Sequence, residues 1–379
     1  MNYFIFALNY SNKKSIHMTS KERVHASLNR KSPDRVPVWM WYHPETVQMM
    51  AKEFDIPPKY VSLALEDDIR QAWVHNNYAM EGIVHQHDGE GHTDQWGIRW
   101  VKVGPFNQIA HYPLADLSEE EIDGYKFPYD HIPELLQSMN PVVALKDEYF
   151  IGCDVSPCLF ELICRLRNMQ NAILDFLVNP GLTDRFLEKS CDFAVTLSRE
   201  AVNRFDLDML WTGDDVGGQQ TLILDPDMWR SRVKPHLKKI IDVGKEKNLW
   251  IAYHCCGALR PIIPDLIEIG VDILNPVQAN CPGMDPWELK KEFGNGLSFM
   301  GGIDTQNLLP NGSAFEVRKE TEKLIDGMMS GGGGYILAAS HAVPPETPIG
   351  NIYAMYAAAG ISKEKILDHA ADIRKINSA

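Results

Sequence analysis

The sequence predicts an α/β fold, a (β/α)8 TIM barrel. Short apolar runs alternate with amphipathic stretches from about residue 147 onward, the runs number eight once two earlier ones are added, and no glycine-rich dinucleotide fingerprint follows any of them. Repeated strand-then-helix units imply a parallel sheet with right-handed crossovers. The count of eight favours a closed barrel over an open sheet.

The first run is Val36-Pro37-Val38-Trp39-Met40-Trp41, read as a buried strand after the turn Ser32-Pro33-Asp34. Asp68 to Val74 is a weaker second strand. Residues 92–103 alternate well enough for half of a β-hairpin insertion, with 106–112 as the partner. Residues 113–142 are acidic and proline-containing, and read as surface helix and loop. The later strands are 149–152, 209–211, 249–253, 273–275, 298–300 and 335–338, with amphipathic helices between them at Asp225 to Lys247 and Phe315 to Met329. Gly331 to Gly334 precedes a strand, so it reads as a turn and not as a phosphate cradle. Residues 1–17 read as a loosely ordered N-terminal extension, and 18–379 as a single barrel domain whose first helix opens at a Thr19/Glu22 capping box.

The chain has 379 residues, 45% hydrophobic and 23% charged, which excludes disorder, collagen and coiled coil for the whole chain. Its net charge of −14 opposes binding to nucleic acid or to an anionic membrane surface. No apolar run reaches the roughly 20 residues of a membrane span. Seven cysteines, two of them adjacent at 255 and 256, suit a reducing cytoplasmic setting better than a disulfide framework.

Barrel chemistry sits past the carboxyl ends of the strands, and those positions are rich in polar groups. They are Asp154 with Glu161, then Gly213-Asp214-Asp215-Val216-Gly217-Gly218-Gln219, then His254-Cys255-Cys256-Gly257, Asn275, Asp304, and Ser340-His341. Imidazole and thiolate are preferred zinc ligands, and a catalytic zinc takes three protein ligands and keeps one position open. His254 and Cys256 are two apart, so an extended segment points both the same way; a packed histidine and cysteine would share that spacing. Cys255 then faces away as a small hydrophobe. His341, at the end of the last strand, and Glu161 are further ligand candidates. Glu161, Asp214, Asp215 and His341 are candidates for acid/base or positioning roles. Against that, Glu161 also suits a solvated first helical turn, and either aspartate suits a helix cap. Trp41, Tyr42 and His43 read as an aromatic wall at the mouth for an apolar or aromatic substrate, with Gln219 and Asn275 as polar contacts. The histidines at 85, 87 and 92 read as solvated.

From about Thr19 to Ala371 the sequence resembles the uroporphyrinogen decarboxylase superfamily. The residues that carry the resemblance are Asp34-Arg35-Val36-Pro37-Val38-Trp39, Pro226 to Pro235, His254-Cys255-Cys256-Gly257, Gly301-Gly302-Ile303-Asp304, and Ser340-His341 with Pro345-Glu346-Thr347-Pro348 and Asn351-Ile352. The resemblance implies a (β/α)8 barrel and one of two chemistries. The decarboxylases carry Arg-Gln-Ala-Gly-Arg after the first strand, to hold substrate carboxylates. Here that place reads Met40-Trp41-Tyr42-His43-Pro44, without arginine. The zinc- and corrinoid-dependent methyltransferases carry a His-x-Cys pair, which His254 and Cys256 match. This branch implies Zn2+, a corrinoid (cobalamin) supplied by a partner protein, and methyl transfer between a small substrate such as a methyl ether and cobalt. A methylcorrinoid:thiol transfer, a tetrapyrrole-acid decarboxylase and a barrel without chemistry are the competing readings. A homodimer is implied by the resemblance alone.

Overall fold

The computed structural model describes residues 18–74 and 85–378. The expected extension at 1–17 lies outside them. The chain divides into two compact units: one takes the chain up to Arg70, Pro141–Gly152 and everything from Asp272 on, and the other takes Gln71–Asn140 and Cys153–Val271.

The strands in chain order are β1 Ile69–Trp73, β2 Gly91–Thr93, β3 Arg99–Val103, β4 Phe106–His111, β5 Phe150–Asp154, β6 Met209–Gly213, β7 Trp250–His254, β8 Ile273–Val277, β9 Ser298–Ile303 and β10 Tyr335–Ala339. Apart from the three short strands of the insertion, they recur as the parallel β-then-α repeat that the periodicity predicts, giving the α/β barrel class.

In the unit built around Cys153–Val271, β6 pairs with β7 in parallel from Met209 opposite Trp250 to Gly213 opposite His254. On the other side of β6, the chain leaving β5 joins it through Val155 N–H to the Trp211 carbonyl (2.9 Å) and Cys158 N–H to the Gly213 carbonyl (3.1 Å). Val74 N–H donates to the Asp154 carbonyl (2.8 Å), tying in the end of β1. Asp154, Gly213 and His254 therefore end three neighbouring parallel strands. The cores of β5 and β6 are buried throughout, as expected of strands covered on both faces. The same unit carries the insertion, a three-stranded antiparallel sheet in the order β2-β3-β4. The expected hairpin is β3 with β4. Residues 92–93 belong instead to a third strand, because the Asp94 carboxylate takes the N–H groups of Trp96 and Ile98 (2.9 and 3.0 Å) and turns the chain. The acidic stretch 113–142 does form surface helices, yet it buries Leu114, Ile122, Phe127, Ile132, Leu135, Leu136 and Met139.

In the other unit β8, β9 and β10 run parallel and consecutive. The predicted first strand is reduced to parallel bridges at Val38 opposite Leu337 and Tyr42 opposite Val343. Pro37 has no N–H for a ladder, and the N–H of Val38 goes to the Asp68 carboxylate (2.8 Å) instead of to a strand neighbour. Asp68 in turn is clamped by Arg23 (2.7 Å) and Arg35 (2.6 Å). The segment still fills its strand position: Trp39 N–H reaches the Leu337 carbonyl on one side, and Asp68 N–H reaches the Val38 carbonyl on the other. Among the described residues no helix is long and apolar enough to cross a membrane.

Candidate metal centre

The site begins where β7 stops. His254 is its last residue and Cys256 follows by two, so the two side chains leave the extended backbone on one side. Nε2 of His254 and Sγ of Cys256 are 3.5 Å apart. Cys255 between them is fully buried, as its small apolar character suggests. Asp215, two residues past β6, completes the group. Its Oδ1 accepts the N–H of Cys256 (2.9 Å) and stands 4.0 Å from Nε2 of His254. One ligand atom from each of the three lies within 4.8 Å of the other two. Around a tetrahedral zinc with bonds of about 2.0–2.3 Å, ligand atoms stand roughly 3.3–3.8 Å apart. The trio therefore fits zinc in donor chemistry, and in spacing with a small contraction. Three protein donors are also the number that leaves a position for substrate.

Packing fixes this geometry from below. The indole of Trp211 stacks on the His254 ring (centroids 6.2 Å, planes 27° apart). Glycine lets the backbones close in. A Cβ on Gly213 would sit 3.0 Å from both His254 Cβ and Ser156 Cβ, and one on Gly217 would sit 2.2 Å from the Cys256 carbonyl oxygen. Burial raises the Cys256 thiol pKa, with His254 opposing; a bound cation would favour the thiolate.

Asp214 and Asp215 are adjacent but do different work. Asp214 is fully buried. Its carboxylate accepts the N–H groups of Phe160 (3.1 Å) and Glu161 (2.6 Å). It thus caps the helix Phe160–Arg167 that precedes it in the chain, a helix whose own N-cap residue, Leu159, supplies no side-chain bond. Burial pushes the carboxyl up to about 8, the backbone bond from Glu161 opposing. Glu161 is in the first turn of that helix. Its Oε1 is held by Arg165 through Nη2 (2.6 Å) and Nε (3.1 Å), and the Arg165 guanidinium lies over the rings of Trp73 (5.6 Å) and Trp100 (5.9 Å). Sequence reasoning passed over Arg165, Trp73 and Trp100. The one available signal was the i,i+4 spacing of Glu161 and Arg165.

Asp215, His254 and Cys256 all belong to the unit built around Cys153–Val271. Gln219 also lies there and is exposed. The remaining candidates belong to the other unit. His341 is exposed, with its ring 4.9 Å from that of Trp41. Tyr42 is buried, and its hydroxyl donates to that of Tyr356 (2.8 Å), which donates to Asp67 (2.5 Å). His43 is buried too, and caps the helix Pro44–Phe54 by accepting the Glu45 N–H at Nδ1 (3.2 Å). Asn275 is buried within β8. Tyr42 and His43 thus spend their polar atoms inside the protein.

The sequence profile of the family described as Uroporphyrinogen decarboxylase (URO-D) matches residues 96–360. Methylcobamide:CoM methyltransferase MtbA of Methanosarcina mazei is 21% identical over 358 residues, covering 89% of this chain and 96% of its own. Methylcobamide:CoM methyltransferase MtaA of Methanosarcina barkeri is 25% identical over 177 residues, 47% of this chain and 48% of its own. A solved methyltransferase from Methanosarcina mazei superposes with a TM-score of 0.64 at 18% identity, covering 91% of this chain and 99% of that one, and shares the fold.

Proposed function

The chain belongs to the uroporphyrinogen decarboxylase family, and from that premise we propose that it is a zinc-dependent methyltransferase exchanging a methyl group between a small substrate and the cobalt of a corrinoid carried by a separate protein. One observation carries the reading: a histidine, a cysteine and an aspartate, brought from the ends of two neighbouring strands, each offer one donor atom within 4.8 Å of the other two, a small contraction from a three-ligand zinc site. Asp215, His254 and Cys256 would hold the ion, with Glu161 of the same unit as the proposed further ligand. Zinc there would supply Lewis acidity toward an oxygen or sulfur atom of the substrate.

The protein's own residues prepare that atom's environment. Trp211 fixes the imidazole, and Asp215 fixes the Cys256 backbone. Arg165, lying over the faces of Trp73 and Trp100, holds the Glu161 carboxylate in place. Absence of arginine at Met40-Trp41-Tyr42-His43-Pro44 opposes a substrate with many carboxylates. The sequence reading proposes a methyl ether as donor. The names of the relatives support a second direction, from methylcorrinoid to a thiol. The described cysteines are all free thiols, the state that the proposed cytoplasmic setting maintains.

The test is metal analysis of purified protein beside the double variant His254→Ala, Cys256→Ser, with two assays. One pairs methylcob(III)alamin with 2-mercaptoethanol, the other cob(I)alamin with methoxybenzene. We expect one zinc per chain in the wild type, loss of zinc in the variant, and turnover in one assay. Equal metal content in both proteins overturns the reading.

A further inference from the structure

We infer that the exposed face of the helix Met169–Val178 is where the corrinoid-carrying protein docks, through an apolar surface of its own edged with lysine or arginine. The inference rests on the proposed function, which requires such a partner, and adds the surface that receives it.

The helix is apolar on both sides. Ala172 and Phe176 are buried against its own unit, with the Phe176 ring edge-on to that of Phe160 (centroids 5.6 Å). At 3.6 residues per turn, Met169, Ile173 and Leu177 fall on the other half, with Leu174 and Val178 beside them. There Met169 and Leu174 are each 51% exposed, Leu177 63% and Val178 69%, and Ile173 is half-buried. A helix that is hydrophobic all round belongs between two layers, and a contiguous apolar strip left exposed marks an interaction site.

Its place in the unit suits a carrier. Phe160, on which Phe176 packs, opens the helix Phe160–Arg167 and donates its N–H to Asp214 (3.1 Å), the neighbour of Asp215. Leu177 and Val178, the two most exposed apolar residues of the face, follow Phe176 directly. A protein seated on them stands close to the segment that carries Asp215, where a methyl group on cobalt has to arrive or depart.

Charge and size choose the occupant. One edge of the helix is tied to the segment 115–124, by Asn171 Nδ2 to the Ala115 carbonyl (2.8 Å) and by Asn179 Nδ2 to Glu119 Oε1 (2.6 Å). That segment exposes Asp116, Glu119, Glu120, Glu121 and Asp123. Arg185 pairs with Glu119 and Asp123, and Lys189 bonds the Asp123 carbonyl, so five carboxylates meet two cations and the edge stays acidic. Such an edge attracts a basic rim. A second copy of this chain would bring a second acidic edge instead. The strip itself measures roughly 15 by 10 Å, far short of the roughly 800 Å² per partner that a stable dimer buries. A small contact suits a carrier that leaves after each turnover.

The experiment uses full-length protein and the corrinoid protein of its source organism, purified by cobalt absorbance and added in place of free cobalamin in the two assays above. The variants are Leu177→Glu, Leu177→Met and Glu120→Lys, each checked by thermal melt and zinc content. Leu177→Glu should raise KM for the carrier roughly 10-fold or more with kcat kept, and Leu177→Met, which stays apolar, should keep the wild-type KM. Glu120→Lys should raise KM roughly threefold at low salt, and the difference should fade at about 0.5 M salt. With free cobalamin, the variants should match the wild type, since no docking is involved. Wild-type KM for the carrier in both Leu177→Glu and Glu120→Lys overturns the docking surface, as does an equal loss with free cobalamin and with carrier, or a source organism in which no corrinoid protein supports turnover. A wild-type dimer that Leu177→Glu makes monomeric, with KM for the carrier unmoved, gives the face to a second copy and overturns it too. A wild type that binds no zinc and turns over neither free nor carried corrinoid overturns the functional reading itself, whereas turnover of free cobalamin with an unmoved carrier KM overturns the docking surface alone.

Discussion

Gly217→Ala tests whether the metal group depends on the close approach of two loops. The added Cβ would lie 2.2 Å from the Cys256 carbonyl oxygen, 3.3 Å from the Cys256 carbonyl carbon and 3.3 Å from Cys255 Sγ. The obstacle is backbone, which cannot swing aside as a flexible side chain can. Restoring ordinary contact requires the Cys256 peptide to retreat by about 1 Å. A zinc–ligand bond tolerates only about 0.2 Å, and Sγ belongs to the displaced residue. We expect zinc affinity to fall by roughly 10- to 100-fold, equivalent to about 1.4–2.8 kcal/mol. Overpacking should also cost about 1–3 kcal/mol of folding stability. The assay is zinc competition against a chromophoric chelator, with thermal unfolding by circular dichroism on the same samples. Gly124→Ala is the control, because a Cβ there meets nothing within 4 Å. If Gly217→Ala binds zinc as tightly as Gly124→Ala does, Cys256 is not a ligand held by this packing.

The two aspartates should separate cleanly. Asp214→Ala leaves the N–H groups of Phe160 and Glu161 without their acceptor and should cost about 1–3 kcal/mol in a denaturant melt, whereas Asp215→Ala should fold normally and lose zinc affinity in the competition assay. Tyr42→Phe removes the bond to Tyr356 and should cost about 1 kcal/mol of stability while leaving KM unchanged, since the hydroxyl is turned inward. Asp67 is buried, with its carboxyl raised from 3.8 to about 7 by desolvation. Its contribution to stability is full below the unfolded value and is lost as pH rises through 7, so lowering the pH from about 7.5 to about 5.5 should stabilise the protein by about 2 kcal/mol through this group. Asp67→Asn should remove that share of the slope in pH-dependent melts, and an unchanged slope refutes the assignment.

Local pattern made most of the fold legible. Short apolar runs, split by amphipathic helices, located the strands of the barrel repeat, because a strand covered on both faces must be apolar throughout. The first run misled only in form. Its hydrophobicity does mark a strand position, but Pro37 and the long-range grip of Asp68 on Val38 N–H replace a ladder with a bridge, and no local pattern reports a partner thirty residues away. The same limit governed the site. His254 and Cys256 could be paired from the sequence because they are neighbours on one extended segment. Asp215 could only be placed among several acids at strand ends. Its choice over Asp214 depends on which of two adjacent side chains faces the loop after β7, and that follows the β6 to β7 register.

That register also explains why the glycines cluster where the chemistry does. Gly213, Gly217 and Gly257 stand where the loop after β6 crosses the loop after β7, with Ala258 N–H bonded to the Gly218 carbonyl (2.8 Å). Side chains at those positions would push the loops apart and separate Asp215 from Cys256. Gly257 has the further need of φ +90°, which L side chains rarely adopt, and a Cβ there would lie 2.5 Å from the Gly218 carbonyl oxygen. The donors of the proposed metal group and the glycines that face each other are two halves of one arrangement. Gly257→Ala should therefore weaken zinc binding at least as much as Gly217→Ala, since strain and overlap act together. Were Gly257→Ala to leave zinc affinity intact while Gly217→Ala abolished it, the two loops would not be acting as a unit, and Asp215 would have to be held by something other than the Cys256 backbone.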